Sequence, residues 1–372
     1  MSNSQGSQRT CISLFSGCGG LDLGLEAAGF RIAVATDNDP TCAATYRMNR
    51  PTTPFIIDAI RSIATSQLVA AAQVVSGGID LLAGGPPCPA FSKSRFYRSD
   101  KPRALDDPVA AETIGGYLRV LREVRPRIFV LENVRGLAYG VHRQALDLIL
   151  DSASSLGYST SWGILNAADY GVPQIRERCF VLGSLLGPIS LPKPTHAKEG
   201  NGEIPGLLPW LTTGQVLSDL DTDTNASHDG HFAGGQYHNI LCQIPPGENY
   251  LHFTEKRGHP NPLFKWRSRY WSFLLKLSPS MPSWTIQARR SNNMGPFHWR
   301  NRILRIEEIK RLQTFPDSFE LCGNVEKQWR QIGNAVPPLL AQSIGSALIQ
   351  HLNHHDKKAC VDDPRHSQTS FV

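Results

Sequence analysis

Five short apolar runs constrain this chain more than any other feature, because each stops at residues able to do chemistry. Cys11-Ile12-Ser13-Leu14-Phe15 breaks into Ser16-Gly17-Cys18-Gly19-Gly20, Arg31 to Thr36 ends at Asp37, and Pro54 to Ile57 ends at Asp58. Ile79 to Ala83 runs into Gly84-Gly85-Pro86-Pro87-Cys88, and Arg127 to Leu131 ends at Glu132. Between the runs, the stretch from Leu21 to Ala28, Thr41 to Met48, Ala64 to Val75 and a segment closing at Leu118 to Val124 read as helices. Strands alternating with helices build an α/β domain on a parallel, doubly wound sheet. Such sheets bind their ligands beyond the carboxyl ends of the strands, so the five terminal residues are expected along one edge.

Taken singly, those residues leave alternatives open. The glycines after Phe15 permit positive φ and a close backbone approach to a ligand at a helix N-terminus. Asp37 follows Gly17 by 20 residues, the spacing at which a carboxylate takes a ribose hydroxyl pair. The strict dinucleotide fingerprint is absent, which favours a different adenosine cofactor. Asp58 suits either a base amino group or a solvated turn. The glycines and prolines before Cys88 hold a thiol away from any regular ladder, yet a buried, inert cysteine fits the same loop. Glu132 reads as a cleft carboxylate with a raised pKa, or as a capping or salt-bridged residue. Alternate residues of an extended segment share a face, so Gln174, Arg176 and Arg178 are expected to point together at an anionic or carbonyl-rich partner, or into surface salt bridges.

Composition narrows the class. A balance of 38 basic against 32 acidic residues tolerates a polyanionic partner without proving one. The eight cysteines form no Cys-x-x-Cys pair, which argues against a zinc cage or disulfide framework, so no metal is expected. The polar N-terminus and the lack of a long apolar run argue against a signal peptide or membrane span. Lys93 to Arg103 interleaves five cations with Phe96 and Tyr97 and reads as an exposed basic loop. From Ser184 to about Ser280 the pattern shifts to Pro, Gly, His and Asn, marking a second domain, and Lys256 to Trp271 combines cations with aromatics. The last helix is expected over Leu339 to Leu352, with residues 356–372 disordered.

The ordered set of Phe15-Ser16-Gly17-Cys18-Gly19-Gly20, Pro86-Pro87-Cys88, Glu132-Asn133-Val134 and Gln174-x-Arg176-x-Arg178 resembles the DNA cytosine-5 methyltransferases, of the bacterial restriction-modification type. Arg311-Leu312-Gln313-Thr314-Phe315-Pro316-Asp317 and Gln331-Ile332-Gly333-Asn334-Ala335-Val336-Pro337-Pro338 extend the resemblance along nearly the whole chain outside residues 184–280. It implies a Rossmann-like S-adenosylmethionine-dependent domain over 1–183, completed by 331–355, with a target-recognition domain over 184–330. It implies methyl transfer to carbon-5 of a flipped cytosine in double-stranded DNA; a monomer is expected, and the unpaired cysteines point to the cytoplasm. Cys88 would be the nucleophile, Glu132 the acid at ring nitrogen-3, Arg178 the partner of the cytosine carbonyl oxygen, and Arg176 a support for the Cys88 loop. Phe15, Ser16, Gly17, Gly19, Asp37, Asn38, Asp58, Ile60 and Asn334 would contact the cofactor. Asn38, Pro89, Thr113 and Arg305 depart from the family pattern, and Arg305 removes a side-chain N-cap from the helix after it. Methylation of structured RNA, a catalytically silent DNA-binding regulator and a nicotinamide oxidoreductase are the rival readings; the last accounts for the glycine turn alone.

Overall fold

The computed structural model describes residues 8–74, 78–87, 104–198, 206–221 and 233–361. Cys88, Pro89 and the basic stretch from Lys93 to Arg103 lie outside them. The chain divides into two compact units, one of 1–165, 177–193 and 341–372, the other of 166–176 and 194–340. These boundaries differ from the expected ones. Residues 166–176 join the second unit because Gln174 and Ile175 pair with Ser283 and Trp284.

In the first unit the strands are β1 (Arg9–Leu14), β2 (Phe30–Asp37), β3 (Phe55–Ile57), β4 (Leu81–Gly84), β5 (Ile128–Val134) and β6 (Ser159–Asn166). After the two-residue β7 (Gln174–Ile175) of the second unit comes β8 (Glu177–Ser184). Seven strands form one sheet in the order β3-β2-β1-β4-β5-β8-β6. β1 to β5 run parallel and β8 runs antiparallel to β5. The order reverses between β1 and β4, and Leu14 pairs with Gly84, so the turns that follow these two residues start side by side at the switch point.

Local chemistry sets the helix ends. α1 (Gly20–Ala28) lies between Gly19 and Gly29, both left-handed. α2 (Pro40–Asn49) starts with proline in its first turn, and the Asp39 side chain accepts from the Thr41 amide. α3 (Thr65–Ala72) is shorter than expected. α4 (Pro108–Val124) repeats the arrangement of α2, with Asp107 accepting from the Val109 and Ala110 amides. The helix ends at Val124 as expected, and its start, which the sequence reading left open, lies at Pro108. Gly116 permits close packing, since a Cβ there would lie 2.5 Å from the Ile60 side chain. α5 (Arg143–Ser155) follows two 3-10 turns. Ile12, Leu14, Val34, Leu82, Ile114, Tyr117, Phe129, Leu131 and Ile149 are among the residues of the core these elements enclose.

The second unit has little regular structure, and it buries polar groups beside apolar ones such as Leu241, Leu274, Phe297 and Ile309. Its helices are α6 (Thr213–Leu217), α7 (His238–Gln243), α8 (Ile306–Leu312) and α9 (Val325–Asn334). Buried Arg302 donates to both carboxylate oxygens of buried Glu308, at 2.8 and 2.6 Å. Glu308 also accepts from the Arg305 amide at 2.7 Å. That contact serves the Arg305 amide only, and the Arg305 side chain caps no first-turn amide, as expected.

The last helix, α10 (Pro338–Val361), runs well past the expected end. The segment 325–358 is long and apolar enough by composition to cross a bilayer, but Leu340, Ile344, Leu348 and Leu352 are fully buried in the protein. Gly345 packs on α1, where an added Cβ would come within 2.7 Å of Ala28. The expected disorder from 356 is corrected at its start. The chain is helical through Val361, and Asp356 pairs with Arg9 and Arg127. Residues 362–372 lie outside the described ones. His351 Nε2 on the same helix lies 2.7 Å from Ser184 Oγ.

Candidate active site

At the end of β1 the backbone leaves regular geometry. Phe15 and Gly17 take positive φ, 55° and 56°, and Gly19 reaches 92°. A non-glycine residue at positive φ is uncommon and stores strain that the surroundings must hold. The Ser16 amide donates to the Thr36 carbonyl at 2.8 Å, and the Gly17 amide donates to Asp37 Oδ2 at 2.9 Å. Asp37 Oδ1 accepts from the Asp39 amide at 2.9 Å, and burial raises the Asp37 pKa against these hydrogen bonds. Asp37 therefore holds the glycine turn itself. The Asn38 amide also serves the carboxylate, which keeps capacity for a further donor such as a ligand hydroxyl.

The surroundings of the turn fit a nucleoside-bearing cofactor. A Cβ built on Gly17 would meet nothing within 4 Å, so open space lies over the turn. Asn38 and Asp58 are exposed, and Phe15 and Asp37 are half-buried. At Ile60 only the backbone is left to meet a ligand. Its side chain is buried in the core against Gly116, and its carbonyl accepts from Arg119 at 2.9 Å.

The second turn at the switch point is described as far as Pro87. Asn133 Nδ2 donates to the Pro86 carbonyl at 3.2 Å, and the Thr113 hydroxyl lies 3.2 Å from the Pro87 carbonyl. Tyr117 bridges β4 and β5 from below, its hydroxyl 3.2 Å from the Leu82 carbonyl and 2.9 Å from that of Val130. The chain that enters Cys88 is thus tied to β5 and α4.

Glu132 and Arg178 meet because β8 is antiparallel. Glu132 pairs with Phe180 and Val134 with Arg178, which brings the start of β8 to the carboxyl end of β5. Arg178 Nε lies 3.1 Å from Glu132 Oε1, with both side chains largely buried. Burial lowers the Arg178 pKa, against the raising effect of the Glu132 carboxylate. Gly85 gives the carboxylate its room, since a Cβ there would fall 2.8 Å from Glu132 Oε2. Neighbouring Cys179 is pushed up to about 12 by burial and then by the Glu132 charge, so it is an inert thiol.

Gln174, Arg176 and Arg178 do not share one target. Gln174 Oε1 accepts from the Ile286 amide at 3.0 Å, and Arg176 donates to the Ile286 carbonyl at 3.1 Å. Arg176 also donates to the carbonyls of Gly333 and Ala335, at 2.8 and 3.0 Å, bracketing Asn334. The segment changes sheets at Arg176, so the alternation holds for Gln174 and Arg176 and stops before Arg178. Asn334 is the exposed last residue of α9 and belongs to the second unit.

A buried polar cluster beneath the glycine turn escaped the sequence reading. Ser13, Asp22 and Arg50 are buried, with Tyr46 among them. The available signal was Asp22, a carboxylate between Leu21 and Leu25 on the inward side of α1.

Residues 9–350 match the family described as C-5 cytosine-specific DNA methylase. The chain belongs to this family. The cytosine-5 methylase is 38% identical over 373 residues to the Type II methyltransferase M.SacI of Streptomyces achromogenes, covering 93% of this chain and 94% of that one. It is 31% identical over 358 residues to the Type II methyltransferase M.NgoPII of Neisseria gonorrhoeae, covering 92% and 95%. The crystal structure of S. pombe Dnmt2 methyltransferase superposes with a TM-score of 0.63 at 18% identity, covering 93% of this chain and 99% of that one, and supports the fold. Membership makes the methylase a DNA (cytosine-5-)-methyltransferase and implies that it uses S-adenosylmethionine on DNA.

Proposed function

We propose that this enzyme is the modification methyltransferase of a type II restriction-modification system, and that Cys88, Glu132 and Arg178 carry its chemistry. The observation that supports this most directly is the Glu132–Arg178 pair, 3.1 Å apart at the carboxyl edge of the sheet, beside the turn that leads to Cys88. Carbon-5 of cytosine is a weak nucleophile. Addition of the Cys88 thiolate to carbon-6 makes it electron-rich, and Glu132 stabilises the resulting ring by protonating or hydrogen-bonding nitrogen-3. Arg178 holds the ring carbonyl oxygen and keeps Glu132 aligned. S-adenosylmethionine supplies an electrophilic methyl group. A water molecule then takes the carbon-5 proton, and the electron pair left behind expels the thiolate from carbon-6 and restores the aromatic ring. A stacked base cannot reach these groups, so the cytosine is flipped out of the duplex.

In this reading Phe15, Ser16, Gly17, Gly19, Asp37 and Asp58 hold the cofactor, with the ribose at Asp37 and the adenine near Asp58. The exposed Asn38 contributes at the rim, and Asn334 is carried over as a cofactor contact on the family motif alone. Arg176 acts by fixing the backbone on both sides of Asn334. The second unit carries the DNA contacts, and the enzyme works as a monomer.

Transfer of labelled methyl to unmethylated duplex DNA tests the assignment, with transfer RNA in a parallel reaction. Label is expected in DNA cytosine, absent with Cys88→Ser, and slower by about 10²-fold or more with Glu132→Gln. Label confined to RNA, or undiminished in Cys88→Ser, would overturn it. Protection of the labelled sites from a restriction endonuclease tests the biological role.

A further inference from the structure

The buried cluster beneath the glycine turn is arranged to grip the turn rather than to join it to solvent. Asp22 is its centre. The Ser13 hydroxyl donates to Asp22 Oδ1 at 2.6 Å, and the Tyr46 hydroxyl donates to Oδ2 at 2.7 Å. The Ser16 hydroxyl in turn donates to Ser13 Oγ at 2.8 Å, which ties the near end of the turn to Asp22. Arg50, at the C-terminal end of α2, enters from the other side. Its Nε donates to Glu26 Oε2 at 2.8 Å, and its Nη2 lies 3.3 Å from the Gly19 carbonyl. The guanidinium lies over the Tyr46 ring, 4.8 Å from the centroid. Arg50 Nη1 is buried without a hydrogen-bond partner and sits where Gly19 would carry a side chain, 2.7 Å from an added Cβ.

Such a cluster is an expensive way to fill space. Burial raises the pKa of Asp22 and of Glu26, the mark of carboxylates held where charge is disfavoured, while Arg50 opposes both shifts. Apolar side chains of similar volume would be as stable or more so. A buried ionic group is retained to advantage where it fixes one geometry among several, and this turn needs fixing because Phe15, Gly17 and Gly19 all occupy left-handed backbone. The three grips fall in sequence. Ser16 is held through Ser13 by Asp22, Gly17 by Asp37, and Gly19 by Arg50.

We propose that Arg50 is a positioning residue of the cofactor site, which sets the Gly19 end of the turn at the N-terminus of α1 and thereby preforms the surface that S-adenosylmethionine meets. Arg50 touches no reacting atom. Its effect falls on cofactor affinity, leaving DNA affinity and the covalent step at Cys88 unchanged. The inference rests on the reading that places the cofactor over this turn.

The test compares Arg50→Met, Arg50→Lys and the uncharged triple variant Asp22→Asn/Glu26→Gln/Arg50→Met in the full chain, with Asp37→Ala alongside. Calorimetric titration with S-adenosylhomocysteine, the DNA dissociation constant and thermal melting are read for each. Arg50→Met is expected to weaken cofactor binding by about tenfold or more, with DNA binding within about twofold. Arg50→Lys keeps the charge but cannot serve Glu26 and Gly19 together, so it should recover only part of the affinity. The triple variant removes the two carboxylates left without a counter-charge and should regain the melting temperature without the cofactor affinity. Recovery of both in the triple variant, or unchanged affinity in folded Arg50→Met, would reduce Arg50 to a structural residue and overturn the proposal. If Arg50→Met does not fold, Arg50→Lys and the triple variant decide in the same way. Loss of affinity in Asp37→Ala alone sinks only the role of Arg50, whereas unchanged affinity in Asp37→Ala and every Arg50 variant removes the cofactor from this turn altogether.

Discussion

At the scale of single residues, burial decides what a titratable group can do. His298 is fully buried, and the Arg300 amide donates to its Nδ1 at 3.1 Å, so the neutral ring carries its proton on Nε2. That nitrogen faces Asp221 and Glu308, each at 3.6 Å. Burial pushes the His298 pKa down to about 4, against the raising effect of the two carboxylates. Unfolded histidine titrates near about 6.5. Between those values the unfolded chain holds a proton that the folded chain lacks, so stability falls as pH drops through that window and is level above it. The melting temperature is expected to fall from pH 6.5 toward 4, by the equivalent of about 3 kcal/mol at most from this residue. His298→Gln should flatten that fall by one proton's worth of slope, and an unchanged slope would assign the dependence to other groups. The sequence marks residues such as Cys88 and Glu132 because they follow strands. Arg50 and His298 carry no comparable mark, since their environments come from distant parts of the chain.

At the scale of elements, strand order and direction build the site. β4 and β5 are adjacent and parallel, so Gly85 emerges next to Glu132, while antiparallel β8 returns Arg178 to the same edge. Gly85→Ala would push a methyl group against Glu132 Oε2 and should cost activity far more than stability. A loss of about 10²-fold in kcat is expected with the melting temperature lowered by a few degrees. Steady-state kinetics beside a melting curve check this, and full activity would show that Glu132 has slack. Strands β1 to β5 were legible because each is a compact apolar run. The end of α4 was legible and its start was not, and Gly116 within it lets Ile60 approach. The antiparallel course of β8 was not legible, because a run of apolar residues reads the same in either direction.

At the scale of the whole molecule, the chain ends are joined within the first unit. Asp356 on α10 pairs with Arg9 on β1 and with Arg127 just before β5, and both arginines also reach Asp80, at 3.4 and 3.2 Å. Arg127, then Arg9, hold the Asp356 carboxyl below the usual carboxylate range. The stability this adds is present above the unfolded carboxylate pKa and is lost as pH falls through the lower folded value. Asp356 is partly exposed, so Asp356→Ala should cost only about 1 kcal/mol at low salt. Denaturant unfolding at two salt concentrations checks this, since the difference from wild type should shrink as screening increases. An equal loss at both would mean that packing, not charge, holds the last helix.

The sequence by itself determined the class of fold, the carboxyl-edge placement of Asp37, Asp58 and Glu132, and the family, because these depend on local runs, turn residues and their order along the chain. Only the tertiary structure decided that Arg178 meets Glu132 while Arg176 turns to Ile286, Gly333 and Ala335, that Ile60 spends its side chain on the core, and that a buried charge cluster underlies the glycine turn. Those contacts join residues far apart in the chain. Which of them form is settled by strand direction and by the competition for buried hydrogen-bond partners, and neither is written in local sequence.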